Sequence, residues 1–159
     1  MYLLGEFGVS VEGSRSVLQE KPKTLTFGDI TRQGFPFYGG NVTYEVPVTL
    51  PGGDARLQIS RFRSPLLKVE MDGASAGNIA FSPYSISLGE VQAGVHQLNI
   101  TSFGNRVNTF GAVHNCNEVE RWFGPNAWRS TKEEWSYEYF IKETGILKAP
   151  EIFVKGDSR

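Results

Sequence analysis

Cysteine is almost missing from this chain. The lone Cys116 cannot form an internal disulfide, so no covalent staple shapes the fold. Histidine is nearly as scarce, with only His96 and His114, and no ligand spacing around them suits zinc. His114 and Cys116, two residues apart, would share one face of a strand. No acid partner or oxyanion loop accompanies them, so a thiol nucleophile lacks its supporting parts. Charge of one sign is lacking too: sixteen Lys and Arg stand against seventeen Asp and Glu. Without a basic stripe, nucleic acid is excluded as an expected partner. No apolar run approaches the length of a membrane span. The opening Met1-Tyr2-Leu3-Leu4, before Gly5 and Glu6, is too short for a signal peptide. The chain reads as a piece of a longer protein, because it starts inside a strand pattern.

At 159 residues the chain is long enough to bury roughly 70% of its unfolded surface in one core. The expected layout is a single domain over residues 1–154, followed by a disordered tail over 155–159. Residues 1–18 are a boundary strand from a preceding domain or a strand completing this one. Transition-metal cofactors are not expected. Calcium stays open as a structural ion, since loop carbonyls with Asp or Asn side chains would suffice.

Period-two alternation recurs along the chain. Phe7, Val9 and Val11 show it, as do Tyr44, Val46, Val48 and Leu50. Leu57 and Ile59, Leu67 to Met71, Ile86 and Leu88, Leu98 and Ile100 continue it, and Trp135 to Ile141 closes the series. Such patterns belong to strands with one dry and one wet face. Tyr44, Val46, Val48, Leu67, Val69, Met71, Leu98 and Ile100 are expected inside. Turn signals fall at Pro51-Gly52-Gly53-Asp54, Asp72-Gly73, Ala93-Gly94 and Gly104-Asn105. The fold class is therefore all-β, a sandwich or jelly roll. Pro47 inside the longest run makes that strand an edge or a bulged one. One or two short helical turns are expected, from Asn117 with Glu120 and from Ser130 with Glu133 as capping boxes. The sequons at Asn41 and Asn99 lie in strand patterns and read as solvent-facing strand residues.

All three tryptophans crowd into one late span: Trp122 and Trp128 in a loop with Gly124-Pro125, then Trp135 ahead of Tyr137 and Tyr139. Indole faces stack on sugar rings, and Arg and Asn reach hydroxyls. The candidate saccharide-binding residues are Trp122, Trp128, Asn105, Arg106, Asn126, Arg129, His114 and Asn115. Packed core or corner indoles are the competing reading. The carboxylate pairs Glu118/Glu120 and Glu133/Glu134 read as solvated charge, so glycoside hydrolysis by two opposed carboxylates has no evident seat here.

Several segments resemble a known family. Gly34-Phe35-Pro36-Phe37-Tyr38-Gly39-Gly40 with Val42 and Tyr44 is similar to a segment of galactose-binding-like jelly rolls in large bacterial glycoside hydrolases. Asp72-Gly73 to Gly77 with Pro83-Tyr84 resembles the segment that follows, and Gly94 to Ile100 matches a later strand. Asn108, Gly111 and His114 resemble a further stretch. Trp122-Phe123-Gly124-Pro125, Trp135, Tyr139 and Gly145-Ile146-Leu147 resemble the close of those domains. The likeness covers most of the chain after about Phe27. It is nearest to the C-terminal domains of α-L-rhamnosidase-like and related enzymes. It implies a β-sandwich accessory module that is not itself an enzyme. Such a module contacts saccharide or braces a catalytic domain that this chain lacks.

Overall fold

The computed structural model describes residues 3–117 and 132–155. It is all-β, of the β-sandwich class expected. The strands, in chain order, are β1 (Gly8–Glu12), β2 (Arg15–Gln19), β3 (Val42–Gln58), β4 (Phe62–Arg63), β5 (Leu67–Met71), β6 (Ala74–Ile79), β7 (Ser85–Ser102), β8 (Gly145–Ile146) and β9 (Glu151–Lys155). Two short 3-10 turns, Ile30–Gln33 and Lys132–Glu134, are the helical elements among the described residues. No helix there is long and apolar enough to cross a membrane. Residue contacts gather into two units: residues 1–39 with 105–144, and residues 40–104 with 145–159.

The second unit is built on a five-stranded antiparallel sheet in the order β6-β5-β7-β3-β9, with a separate β4-β8 ladder. The alternation sets its register. Met71 pairs with Leu98, which pairs with Val46; Val69 pairs with Ile100, which pairs with Tyr44. These rows put the apolar members on one face. Tyr44, Leu67, Val69, Met71, Leu98 and Ile100 are buried; Val46 and Val48 are half-buried. Leu57, Ile59 and Ile146 complete the core with no exposure at all. The buried Tyr44 hydroxyl accepts from the Ile146 N–H at 3.3 Å, so its polar end is satisfied.

Two expected turns lie inside longer strands and do not end them. β3 runs straight through Pro51-Gly52-Gly53-Asp54, and β7 runs through Ala93-Gly94. The two signals lie opposite one another, Pro51 facing Ala93 and Leu50 facing Gly94. Each strand supplies the other's hydrogen-bond partners, and glycine sits in both without ending the ladder. Gly53 has φ +123°, and a Cβ there would lie 2.6 Å from the Lys155 carbonyl oxygen. The Asp72-Gly73 signal is a true turn. Both residues have positive φ, 50° and 79°, as a two-residue hairpin between β5 and β6 requires.

Pro47 faces Gln97 of β7, while β9 covers only Asp54–Gln58 on the other side of β3. Among the described residues Pro47 thus lies where β3 is paired on one side, as an edge proline should. Lys155 belongs to β9 and pairs with Asp54, so strand structure reaches into the stretch expected as tail. Residues 156–159 lie outside the described residues.

The first unit holds the β1-β2 hairpin, with Glu12 paired to Arg15 across Gly13 and Ser14. The turn Ile30–Gln33 begins at Asp29, whose side chain accepts from the Thr31 N–H at 3.0 Å, and ends at a left-handed Gly34. The expected strand from Trp135 to Ile141 is not regular. Only Trp135 forms a bridge, with Asn115, and the rest is loop. Ser130 and residues 118–131 generally lie outside the described residues, so the two expected capping boxes are not covered.

Candidate functional site

In the first unit, the segment from Asn105 to Cys116 lies along the segment from Glu134 to Lys142. Backbone bonds tie them: Cys116 N–H to Glu134 O at 2.8 Å, Ser136 N–H to His114 O at 2.9 Å, and Phe140 N–H to Val113 O at 2.7 Å. Asn108, buried, works as a backbone mimic. Its amide donates to Lys142 O at 2.7 Å and accepts from Lys142 N–H at 2.9 Å. Thr109 Oγ1 adds a bond to Phe37 O at 2.8 Å. This lacing replaces the missing strand regularity and fixes the side chains it carries.

It carries a run of rings. Phe37 meets Tyr139 edge-on at 5.4 Å, and Tyr139 lies 4.6 Å from His114. His114 lies 5.7 Å from Trp135, and Trp135 meets Tyr137 at 4.4 Å. The outer end is open: Trp135 is 40% exposed and Tyr137 77%. His114 Nδ1 points at the Glu138 carbonyl at 3.1 Å, and that carbonyl can only accept, so Nδ1 carries the proton. The exposed indole and phenol stand at 79° to one another, so they offer two apolar faces that meet at an angle, each with a polar edge.

Of the eight residues expected to bind saccharide, Trp122, Asn126, Trp128 and Arg129 lie outside the described residues. His114 joins the ring cluster. Asn105 and Asn115 use their side-chain oxygens locally, accepting from Val107 N–H at 3.0 Å and Asn117 N–H at 2.8 Å. Arg106 is exposed, its guanidinium carbon 5.9 Å from the Phe110 ring centre. Cys116 Sγ faces the Glu133 carbonyl at 3.3 Å and shares no strand face with His114.

The same unit contains a polar cleft of about 580 Å³ that sequence reasoning missed. Its wall includes Glu12, Gln19, Asp29, Thr31, Arg32, Tyr139 and Glu143. These come from four separate stretches of chain, so no spacing could announce them. A smaller apolar cleft of about 270 Å³ is lined by Leu3, Leu4, Phe7, Val9, Phe35 and Phe37, among others. Among the described residues, no three His, Cys, Asp or Glu side chains are placed to hold a metal ion.

Solved structures of glycoside hydrolases resemble parts of this chain to different degrees. A rhamnosidase from Novosphingobium sp. PP1Y matches 92% of this chain with a TM-score of 0.54 at 16% sequence identity. The chain has the fold of a segment of that enzyme. It spans 14% of the rhamnosidase's length. A GH2 beta-galacturonidase from Eisenbergiella tayi bound to galacturonate matches 62% of the chain at 23% identity and a TM-score of 0.41, with 18% of that chain covered. A GH2 beta-galacturonidase from Eisenbergiella tayi bound to glycerol matches 72% of the chain at 22% identity and a TM-score of 0.44, with 20% of that chain covered. No family model and no curated protein matches the sequence.

Proposed function

We propose that this chain is a non-catalytic, galactose-binding-like accessory module of a bacterial glycoside hydrolase, and that it holds saccharide on the aromatic face of Trp135 and Tyr137. One observation carries the reading. Nearly all of this chain has the fold of a small share of a much larger glycosidase, 92% against 14%. The exposed rings add the chemistry, since an indole half open to solvent is the surface a pyranose ring stacks on. Fold alone does not assign function, so the reading rests on that face as well.

Affinity should be modest, with dissociation constants from micromolar to millimolar, about −4 to −8 kcal/mol. The test is tryptophan fluorescence and calorimetry against rhamnose, galactose and plant oligosaccharides. Trp135→Ala should weaken binding at least about fivefold, as loss of a stacking partner worth roughly 1–3 kcal/mol implies. No response from the panel at tens of millimolar would reject the face as a sugar site. Aryl glycosides should not turn over. Turnover lost in Glu133→Gln or Glu134→Gln would reject the non-catalytic reading.

A bracing role is the second reading, favoured by the apolar cleft and by exposed Leu3, Leu4, Val17 and Leu18. Under that reading Leu4→Ser and Leu18→Ser improve solubility and leave the melting temperature unchanged.

A further inference from the structure

β2 is the outer strand of a two-stranded ribbon, and all five of its residues are exposed. Val17 and Leu18, on opposite faces of the ribbon, are 40% and 55% open to solvent. A two-stranded ribbon is marginal by itself, and an open strand edge is a template for a further strand.

The turn decides which backbone groups that edge offers. Gly13 has φ +58° and, with Ser14, makes a two-residue hairpin turn, so the closing pair Glu12–Arg15 is hydrogen-bonded. The pairs then alternate. Ser10–Val17 and Gly8–Gln19 are hydrogen-bonded, while Val11–Ser16 and Val9–Leu18 turn their backbone groups away from the ribbon. Val9 shows that direction, since its N–H leaves the ribbon for Gly34 O at 2.8 Å. On the opposite edge, the N–H and C=O of Ser16 and Leu18 meet no backbone partner among the described residues.

A second copy of the chain can meet these groups about a twofold axis normal to the ribbon. Such an axis passes through a residue pair, so one residue of β2 faces its own copy. With Ser16 at the axis, Val17 faces the copy's Arg15, an apolar side chain against a charge. With Leu18 at the axis, Arg15 faces the copy's Lys21, like charge against like. With Val17 at the axis, Ser16 and Leu18 exchange N–H···O bonds with the copy's Leu18 and Ser16. The two valines then meet in a non-hydrogen-bonded pair, the kind with the closest side chains, and the two Leu18 side chains lie diagonally across the seam. Arg15 faces the neutral Gln19. Only this register satisfies the open backbone groups, gives both exposed apolar residues an apolar neighbour and opposes no like charges. It also makes a four-stranded sheet, with Val9, Val11 and Leu18 of both copies on one face.

We propose that the open edge of β2 is a self-association site, where two copies of this chain pair antiparallel through Arg15–Gln19 with Val17 at the twofold axis. The site goes beyond the saccharide reading, which concerns other residues, and it gives Val17 and Leu18 an occupant other than a catalytic domain. Five residues a side bury far less than the roughly 800 Å² per partner of a standard interface. The dimer is therefore weak, with a dissociation constant on the order of 0.1–1 mM.

Sedimentation equilibrium of the whole 159-residue chain, from about 10 µM to about 2 mM, reads the association. The chain should be mostly monomeric at the low end and more than half dimeric at the high end. Amide exchange at Ser16 and Leu18 should slow over the same range. Val17→Lys and Val17→Glu should each weaken the dimer at least about tenfold, because each sets like charges face to face. Mixed in equal amounts, the two variants should associate again, a rescue that a damaged ribbon could not give. A chain still monomeric at about 2 mM would overturn the site. A dimer untouched by either variant, or a mixture no tighter than the variants alone, would overturn β2 as its seat.

Discussion

Asp72 and His96 clasp the β5-β6 hairpin to β7. Asp72 Oδ2 lies 2.6 Å from His96 Nδ1, and Asp72 Oδ1 accepts from the Gln97 N–H at 2.8 Å. The far ring nitrogen, Nε2, faces the Gln92 carbonyl at 2.8 Å. Both ring nitrogens thus face acceptors, an arrangement that wants both protonated. The hydrogen bond to Asp72, then the Gln92 carbonyl, hold the His96 pKa above its ordinary 6.5. The hydrogen bond from His96, then the Gln97 N–H, hold Asp72 below 3.8.

The pH dependence follows from those directions. The raised His96 contributes stability fully below pH 6.5 and loses it as pH rises through its folded value. The lowered Asp72 contributes above pH 3.8 and loses it as pH falls through its folded value. The pair therefore stabilises most between about pH 4 and 6.5. The difference in melting temperature between the protein and His96→Gln should be greatest in that window and shrink by pH 9. A difference that grows toward pH 9 would contradict the clasp.

Leu57 is fully buried, paired with Ile86 on β7 and Ile152 on β9. Leu57→Ala should cost about 2–5 kcal/mol in urea unfolding, from lost transfer energy and the cavity left behind. Leu18→Ala, at a position 55% exposed, should cost far less.

Gly53 makes room for the end of β9. Gly53→Ala would put a methyl 2.6 Å from the Lys155 carbonyl oxygen at a φ of +123° that alanine disfavours. The expected cost is about 1–3 kcal/mol, with faster amide exchange in β9. Gly73→Ala tests the contrast, because nothing lies within 4 Å of a Cβ there. It should show the turn's conformational penalty alone.

Asn108 holds Lys142 by two bonds at one buried amide. Asn108→Ala should destabilise by about 1–3 kcal/mol, since it leaves two backbone groups unpaired. Asn108→Asp removes the donor alone and should also weaken the chain, by less at low pH where the acid regains its proton. Asn105→Ala, which loses one bond in a local turn, should cost under about 1 kcal/mol.

Much of the sheet was legible beforehand. Strand periodicity is a local property, so the inward phase of Leu67, Val69, Met71, Leu98 and Ile100 could be read from neighbours two apart. The Asp72-Gly73 turn was legible for the same reason, as two adjacent residues set it. Gly52-Gly53 and Ala93-Gly94 looked alike as signals. Their opposition across one ladder is a long-range fact, and it kept both within continuous strands. Trp135 to Ile141 kept its alternation and still formed no strand beyond one bridge, because alternation does not supply a hydrogen-bonding neighbour.

The site divides along the same line. The sequence by itself determined the class, all-β with one wet and one dry face on the central strands, and it marked the aromatic-rich late segment. Tertiary structure alone decided that Asn105 and Asn115 serve their own turns, and that His114 packs between Trp135 and Tyr139. It also brought Glu12, Arg32 and Glu143 to one cleft. A side chain's chemistry is written in its residue, but its neighbours are chosen by chain crossings many residues apart. Local pattern fixes which face a residue takes, and only the assembled backbone fixes what that face meets.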